Sequence, residues 1–293
     1  MKYKGVLYAS AAASFWAISG IAGQLLFTHY GYQAAWLVSA RMLISGLLLL
    51  MIAKIGMRQK IFSPFKESWS LRSLLVFACA GMFTVQYTYF KTIEVSSASF
   101  ATIIQYTGPF FVILYSAVKN KKIPSLRIIC LLLLTALGVF FVASKGQLEN
   151  LLVSKDALFW GLGSAISLAV YSIQPQRLIQ KYGSLVTVGW GMLIGSLLAN
   201  SVQPIWVFDG RLTGTSIFLL VLVIVLGTAL AYWIYLSSLR YITPALASTL
   251  TAFEPVLATL FSLFIFHVTL TIVEGIGFIV VLLSMLFVQK EMD

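Results

Sequence analysis

The chain has 293 residues, of which 60% are hydrophobic and only 10% are charged. An ordinary soluble domain carries about 25% charged residues, so this composition, with a mean hydropathy of +0.95, excludes a water-soluble protein. The net charge of +11 comes from cations in short clusters between apolar runs. That pattern is typical of membrane topology and not of a nucleic-acid-binding face.

Ten apolar runs follow one another, each close to the roughly 20 residues that a transmembrane helix needs. They are centred on residues 5–28, 34–54, 71–90, 95–118, 126–144, 157–178, 184–206, 215–238, 241–266 and 269–288. Backbone groups in lipid must bond internally, and the runs lack strict alternation, so they are predicted to be helices. The expected fold class is an all-α integral membrane protein with ten transmembrane helices.

The cations are divided unevenly between alternate loops. With the N-terminus inside, one side carries 15 of the 20 Lys and Arg residues and the other carries 4, while Arg41 lies within a span. The positive-inside rule then predicts a multi-pass protein of the plasma membrane with both termini in the cytoplasm. Its surroundings are the lipid bilayer, and its oligomeric state is not defined by the sequence.

The halves of the chain repeat each other in order. The matches pair His29-Tyr30-Gly31 with Lys181-Tyr182-Gly183, Met42-Leu43-Ile44 with Met192-Leu193-Ile194, and Tyr89, Ala101, Pro109 and Ser116 with Tyr235, Ala247, Pro255 and Ser262. Each repeat has an odd number of helices, five, so the second must be inserted upside down, which is a transporter architecture. We therefore expect two inverted five-helix repeats, residues 1–147 and 148–293.

Several segments resemble one known family. They are Ser14-Phe15-Trp16-Ala17 with Gly20, Ala40 to Gly46 around Arg41, Phe90 to Pro109 with Thr107-Gly108-Pro109, and Tyr241 to Pro255 with Pro244-Ala245-Leu246-Ala247 and Glu254-Pro255. Together they are similar to two tandem EamA units of the drug/metabolite transporter superfamily. The resemblance implies ten helices, a central cavity, and export or exchange of small metabolites such as amino acids. The chain departs from the family in one place. Many second EamA units carry an acidic residue just after the ninth helix, whereas this chain has Phe266-His267-Val268 there, and Glu274 comes a few residues later.

Two prolines and two charges stand out inside the spans. Pro109 and Pro255 should interrupt their helices and free the carbonyls of Gln105 and Thr251, which is tolerated at membrane depth only against protein or a wet cavity. Because a carboxylate in lipid is costly, Glu254 should face the interior of the bundle. There it could bind a cationic group, carry a coupling proton, or form a hydrogen bond that only positions the broken helix. Arg41 could meet a substrate carboxylate, pair with Glu94 or Glu274, or extend to the outer headgroups.

Aromatic and amide side chains at mid-depth complete the predicted substrate cavity. They are Trp16, Tyr87, Tyr106, Tyr171, Trp190, Tyr232 and Trp233, with Gln24, Gln86, Gln105 and Gln174. The sequence contains no phosphate-binding loop, nucleophile elbow, HExxH motif or paired carboxylates. No cofactor, metal site, enzyme activity or ATP-driven pump is therefore expected.

The sequence predicts a secondary transporter that moves a small organic metabolite by alternating access. An amino acid or similar amphiphile is the favoured substrate, and export is the favoured direction. One alternative is a proton-coupled exporter of cationic drugs, in which protons would be the coupling partner at Glu254. The other is a membrane enzyme or scaffold that does not transport.

Overall fold

The computed structural model describes residues 2–121, 124–144, 153–208, 210–238, 241–242, 247, 250–251 and 253–292. The regular structure of these residues is helical, with no strand among them. The helices are α1 (Lys2–Tyr30), α2 (Ala34–Gly56), α3 (Ser68–Val95), α4 (Ala98–Gln105), α5 (Gly108–Asn120), α6 (Leu126–Ser144), α7 (Lys155–Ile173), α8 (Gln176–Tyr182), α9 (Ser184–Val202), α10 (Gly214–Ser238), α11 (Phe253–Ile265) and α12 (Ile272–Met292). The predicted boundary between the halves, at residues 147 and 148, and the segment 244–246 lie outside the described residues.

Among the described residues, seven helical stretches are long and apolar enough to cross a membrane, namely α1, α2, α3, Ala98–Tyr115, α7, α9 and α10. Three shorter apolar helices, Leu126–Val142, Phe253–Ile265 and Ile272–Ser284, lie where the fifth, ninth and tenth spans are predicted. The prediction of an all-helical, membrane-spanning chain is confirmed. The count of ten spans and the inversion of the second repeat stay predictions.

The two glycines that match each other in the repeat, Gly31 and Gly183, have a backbone cause. Gly31 and Gly183, which follow α1 and α8, have φ angles of +70° and +83°, and glycine adopts these at little cost. The sixth predicted span, 157–178, is shorter as a helix and ends at Ile173. Pro175 explains this end, because it has no N–H to continue the helical ladder.

Wider π-helical geometry occurs at corresponding points of the two halves. It covers Phe77–Phe83 inside α3 and Leu222–Leu230 inside α10. The sequence offset between these stretches is close to the one that pairs Tyr89 with Tyr235. No proline lies in either stretch, and we have no physical account of why these turns widen.

The packing of the helices is also matched between the halves. Helix α2 packs along α9, and α6 packs along α12. Helix α1, the first of its half, contacts α10 and α11 of the second half. Correspondingly, α7 contacts α3, α4 and α5 of the first half. Small residues allow the closest approaches, since a Cβ on Gly46 would lie 2.8 Å from the backbone nitrogen of Leu193. A Cβ on Gly138 would lie 2.8 Å from the carbonyl oxygen of Gly277, and one on Gly277 would lie 2.6 Å from that of Gly138.

Candidate functional site

Arg41 is fixed inside the bundle by residues from both halves. It lies on α2 and is only 3% exposed. Its Nε donates a hydrogen bond of 2.9 Å to Oγ1 of Thr228, and its Cζ lies 4.3 Å from the ring centre of Phe90. The Thr228 hydroxyl donates in turn to the carbonyl of Val223 at 2.7 Å, within the π stretch of α10. The cation is thus held by a hydroxyl acceptor and an aromatic face.

Glu254 lies in the first turn of α11 and is half-buried. The hydroxyl of Tyr89, on α3, donates to its Oε1 at a long 3.4 Å. Gly20 makes room for this phenol, because a Cβ there would lie 2.9 Å from Tyr89 Oη. The acid and its donor therefore come from different halves of the chain.

Tyr89 and Tyr232 both lie near the two charges. The phenol of each is within electrostatic range of both Arg41 and Glu254. We refer to Arg41, Tyr89, Tyr232 and Glu254 as the central cluster. It brings one cation and one anion into a common, largely buried environment, where charge interactions are stronger than in water.

Aromatic rings extend the central cluster around Tyr232. The ring centres of Trp16 and Tyr171 lie 5.4 Å and 5.8 Å from that of Tyr232, both in edge-on geometry. Trp16 also packs on Tyr235, at 5.2 Å between ring centres. Among the described residues, neither Trp16 Nε1 nor Tyr171 Oη has a hydrogen-bond partner, although both atoms are buried.

The two predicted helix breaks lie just before the prolines. Helix α4 ends at Gln105 and α5 begins at Gly108, while Thr251 forms a turn before α11 begins at Phe253. Both prolines consequently fall in the first turn of a helix, where a missing N–H costs little. The Thr251 carbonyl accepts from Glu254 N at 2.9 Å. Pro255 is buried, and the side chain of Pro109 lies outside the described residues.

Three of the predicted glutamines make contacts between helices. Gln24 Oε1 accepts from Ala98 N at 2.8 Å and so caps α4, and Gln105 Nε2 donates to Ser164 Oγ at 2.5 Å. Gln174 Nε2 donates to the carbonyl of Ser73 at 2.8 Å. These bonds connect α1 to α4, α4 to α7 and the end of α7 to α3.

Gln86 differs from the other predicted glutamines. It is 3% exposed, and neither polar atom of its side chain has a hydrogen-bond partner among the described residues.

The remaining predicted aromatics contact residues outside the central cluster. Trp190 Nε1 donates to the carbonyl of Ile61 at 2.7 Å, and its ring packs against Phe62 and Phe65 in the loop after α2. Tyr87 packs on Phe83 and Trp160, and Tyr106 belongs to a second apolar cluster with Phe100, Ile103 and Ile104.

Trp233 lines a cavity of about 370 Å³, together with Tyr8, Met57, Gln59, Ser184, Leu185, Ile234, Ser237 and Tyr241. These eight neighbours were not among the predicted site residues. The cavity lies where the start of α1, the loop after α2, the start of α9 and the end of α10 meet.

Three other acids have partners of their own. Glu274, one proposed partner for Arg41, accepts from Thr271 N at 2.8 Å. Glu94, a proposed partner for Arg41, pairs with Lys91 and accepts from Ala34 N at 2.6 Å. Outside the spans, Glu67 accepts from Lys181 at 2.5 Å. This bond lowers the pKa of Glu67 and raises the pKa of Lys181.

Sequence reasoning missed three residues that touch the charged groups, Tyr89, Phe90 and Thr228. Tyr89 had a signal, since it matches Tyr235 in the repeat comparison. Thr228 had none, because a single threonine in an apolar helix most often bonds its own backbone. Within the described residues, no group of three or more His, Cys, Asp or Glu could hold a metal ion. The geometry is suited to binding a molecule that carries both charges.

Comparison with known proteins supplies the family. The sequence profile of the EamA-like transporter family matches two tandem segments, residues 3–144 and 156–289. The chain is 32% identical over 291 residues to the uncharacterized inner membrane transporter YicL of Salmonella typhimurium, covering 98% of this chain and 96% of that protein. It is 26% identical over 242 residues to the threonine/homoserine exporter RhtA of Escherichia coli (strain K12), covering 79% of each.

A solved crystal structure shares the fold. It has 15% sequence identity and a TM-score of 0.66, and the match covers the whole of both chains. Since the family profile covers nearly all of the sequence, the chain belongs to the EamA-like transporter family and is a multi-pass membrane transporter, not an enzyme.

Proposed function

We propose that the protein is a secondary transporter that exports an amino acid, or a similar small amphiphile, across the plasma membrane by alternating access. The observation that carries this proposal is the central cluster, which gathers Arg41 and Glu254 around the same two tyrosines. A free amino acid carries a carboxylate and an ammonium group. In the proposal Arg41 binds the carboxylate and Glu254 binds the ammonium, each by a charge-assisted hydrogen bond.

Export is supported by the relatives. The threonine/homoserine exporter of Escherichia coli matches 79% of this chain, and its name gives both a direction and a class of substrate. We extend that class to this chain because an Arg and a Glu in one cluster complement the backbone charges that all amino acids share.

The proposed mechanism uses ten spans arranged as two inverted five-helix repeats, residues 1–147 and 148–293. The matched packing, the paired π stretches and the paired helix breaks support this arrangement. In such proteins the repeats exchange inward-facing and outward-facing shapes around a site between them. The 15-to-4 division of cations supports cytoplasmic termini.

Counterflow in proteoliposomes tests the proposal. Vesicles that contain the protein and unlabelled amino acids should take up radiolabelled L-threonine, whereas vesicles with Arg41→Gln or Glu254→Gln protein should show reduced uptake. Glu67→Gln is the matched control, because it removes an acid that pairs with Lys181 at the surface. The proposed substrate class would be excluded if, for every amino acid in a panel, vesicles with the protein took up no more than protein-free vesicles.

The alternative, a proton-coupled exporter of cationic drugs, has less support. Glu254 could attract a cation, but Arg41 lies in the same cluster and would repel it. A membrane enzyme is excluded by the family.

A further inference from the structure

Two buried donors beside Tyr232 lack acceptors. Trp16 Nε1 and Tyr171 Oη have no hydrogen-bond partner among the described residues, and Tyr171 is only 8% exposed. Buried polar groups in folded proteins are almost always hydrogen-bonded, so an exception calls for an explanation. Both rings pack edge-on against Tyr232, so the two donors belong to side chains that share one neighbour.

The kind of atom that would satisfy these donors is restricted. An indole N–H can only donate, while a phenol can donate or accept. The missing partner of Trp16 must therefore be a hydrogen-bond acceptor, and oxygen is the common acceptor on amino-acid side chains. The donors come from different halves of the chain, Trp16 from α1 and Tyr171 from α7, which fits a ligand bound between the repeats and not a bond within one helix.

We infer that Trp16 and Tyr171 determine specificity by donating hydrogen bonds to an oxygen on the substrate's side chain. This inference rests on the proposed function: Arg41 and Glu254 bind the backbone charges of an amino acid, and the two donors distinguish its side chain. The site then prefers a small amino acid with a hydroxyl or carbonyl oxygen over an apolar one of the same shape. An apolar side chain would leave both donors unpaired, which is costly in a buried site.

L-Threonine and L-valine provide the test, because they differ by a hydroxyl in place of a methyl group. We expect the wild-type protein in proteoliposomes to favour threonine in kcat/KM by about tenfold. Tyr171→Phe keeps the ring on Phe77 and Tyr232 but removes the donor. It should lower kcat/KM for threonine by about three- to tenfold, the value of one hydrogen bond. Valine no longer leaves this donor unpaired, so its kcat/KM should not fall, and the threonine-to-valine ratio decreases. Trp16→Phe should act in the same direction.

Tyr32→Phe is the matched control. Tyr32 is 3% exposed and its hydroxyl also lacks a partner among the described residues. However, it packs with Trp36 and Phe208 and not with Tyr232. This variant should leave the threonine-to-valine ratio at its wild-type value.

The outcomes separate the two proposals. If threonine is transported but folded Tyr171→Phe and Trp16→Phe proteins keep the wild-type ratio, the specificity inference is wrong and the proposed function stands. A wild-type protein that transports threonine and valine equally overturns the inference without any variant. If neither amino acid is transported, the inference fails, and the wider amino-acid panel then decides whether the proposed function fails as well.

Discussion

Arg41 owes its fixed position to two contacts that only a guanidinium can make together. Its Nε reaches Thr228 while its plane lies over Phe90. A lysine is a compact point charge without the planar fork, so it cannot keep both contacts. We expect Arg41→Lys to reduce threonine counterflow at least tenfold in protein that still folds. Arg211→Lys, in the loop before α10, is the control, and wild-type transport by Arg41→Lys would contradict the role given to the guanidinium.

Glu254 permits a separate test of proton coupling. Glu254→Gln keeps the size of the side chain and fixes its charge at zero. If the carboxyl carries the coupling proton, this change abolishes transport driven by a pH gradient, while exchange without a gradient persists at the reduced rate expected from losing the partner of the ammonium group. Both rates can be measured in the same proteoliposomes, with Glu67→Gln as control. Full pH-driven transport by the glutamine variant would favour a facilitator instead.

Part of the candidate site could be predicted from the sequence because charges in lipid are costly and therefore conspicuous. Arg41 and Glu254 were predicted as site residues on that ground, and in the structure both lie near Tyr89 and Tyr232. The glutamines were less predictable, since an amide can serve equally as a ligand or as a helix contact. Gln24 caps α4 through Ala98, a partner 74 residues away that no local pattern indicates.

At the level of helices, α2 and α9 approach each other closely at Gly46. A Cβ on Gly46 would meet backbone atoms of Leu193 and Gly189 at 2.8 Å and 3.1 Å, and backbone cannot move aside as a flexible side chain can. We expect Gly46→Ala to cost about 1–3 kcal/mol by overpacking, outweighing the gain in helix propensity of up to about 1 kcal/mol. Thermal unfolding of the detergent-solubilised protein measures the change.

Gly275→Ala is the matched control for this substitution. Gly275 also lies in a helix, but nothing is within 4 Å of the position that its Cβ would take. Alanine there should leave the midpoint of unfolding unchanged or slightly higher. If both variants unfold at the wild-type temperature, the helices have room to separate, and the close approach does not stabilise the bundle.

The positions of the helices were more predictable than their internal geometry. Apolar length locates each helix, because the bilayer sets that length. The break between Gln105 and Gly108 followed from Pro109, although it lies before the proline and not at it. The π stretches in α3 and α10 could not be foreseen, since neither contains a proline to mark the change.

At the scale of the whole molecule, the division of cations predicts which loops face the cytoplasm. Leu212 and Phe62 are 64% and 58% exposed and lie in loops that we assign to opposite sides. After Cys79 and Cys130 are replaced by alanine, a membrane-impermeant maleimide should label Leu212→Cys in intact cells. Phe62→Cys should react only after the cells are permeabilised. The reverse pattern would invert the topology.

The matched packing of the helices has a consequence for synthesis. Helices α1, α2 and α6 pack on α10, α11, α9 and α12, so the first half enters the lipid before its partners exist. Translation of the second half takes on the order of ten seconds, at roughly 5–20 residues per second. Thr228, which accepts from Arg41, is 187 residues later in the chain. A lone guanidinium is costly in hydrocarbon, so α2 reaches its final depth only after α10 has been made.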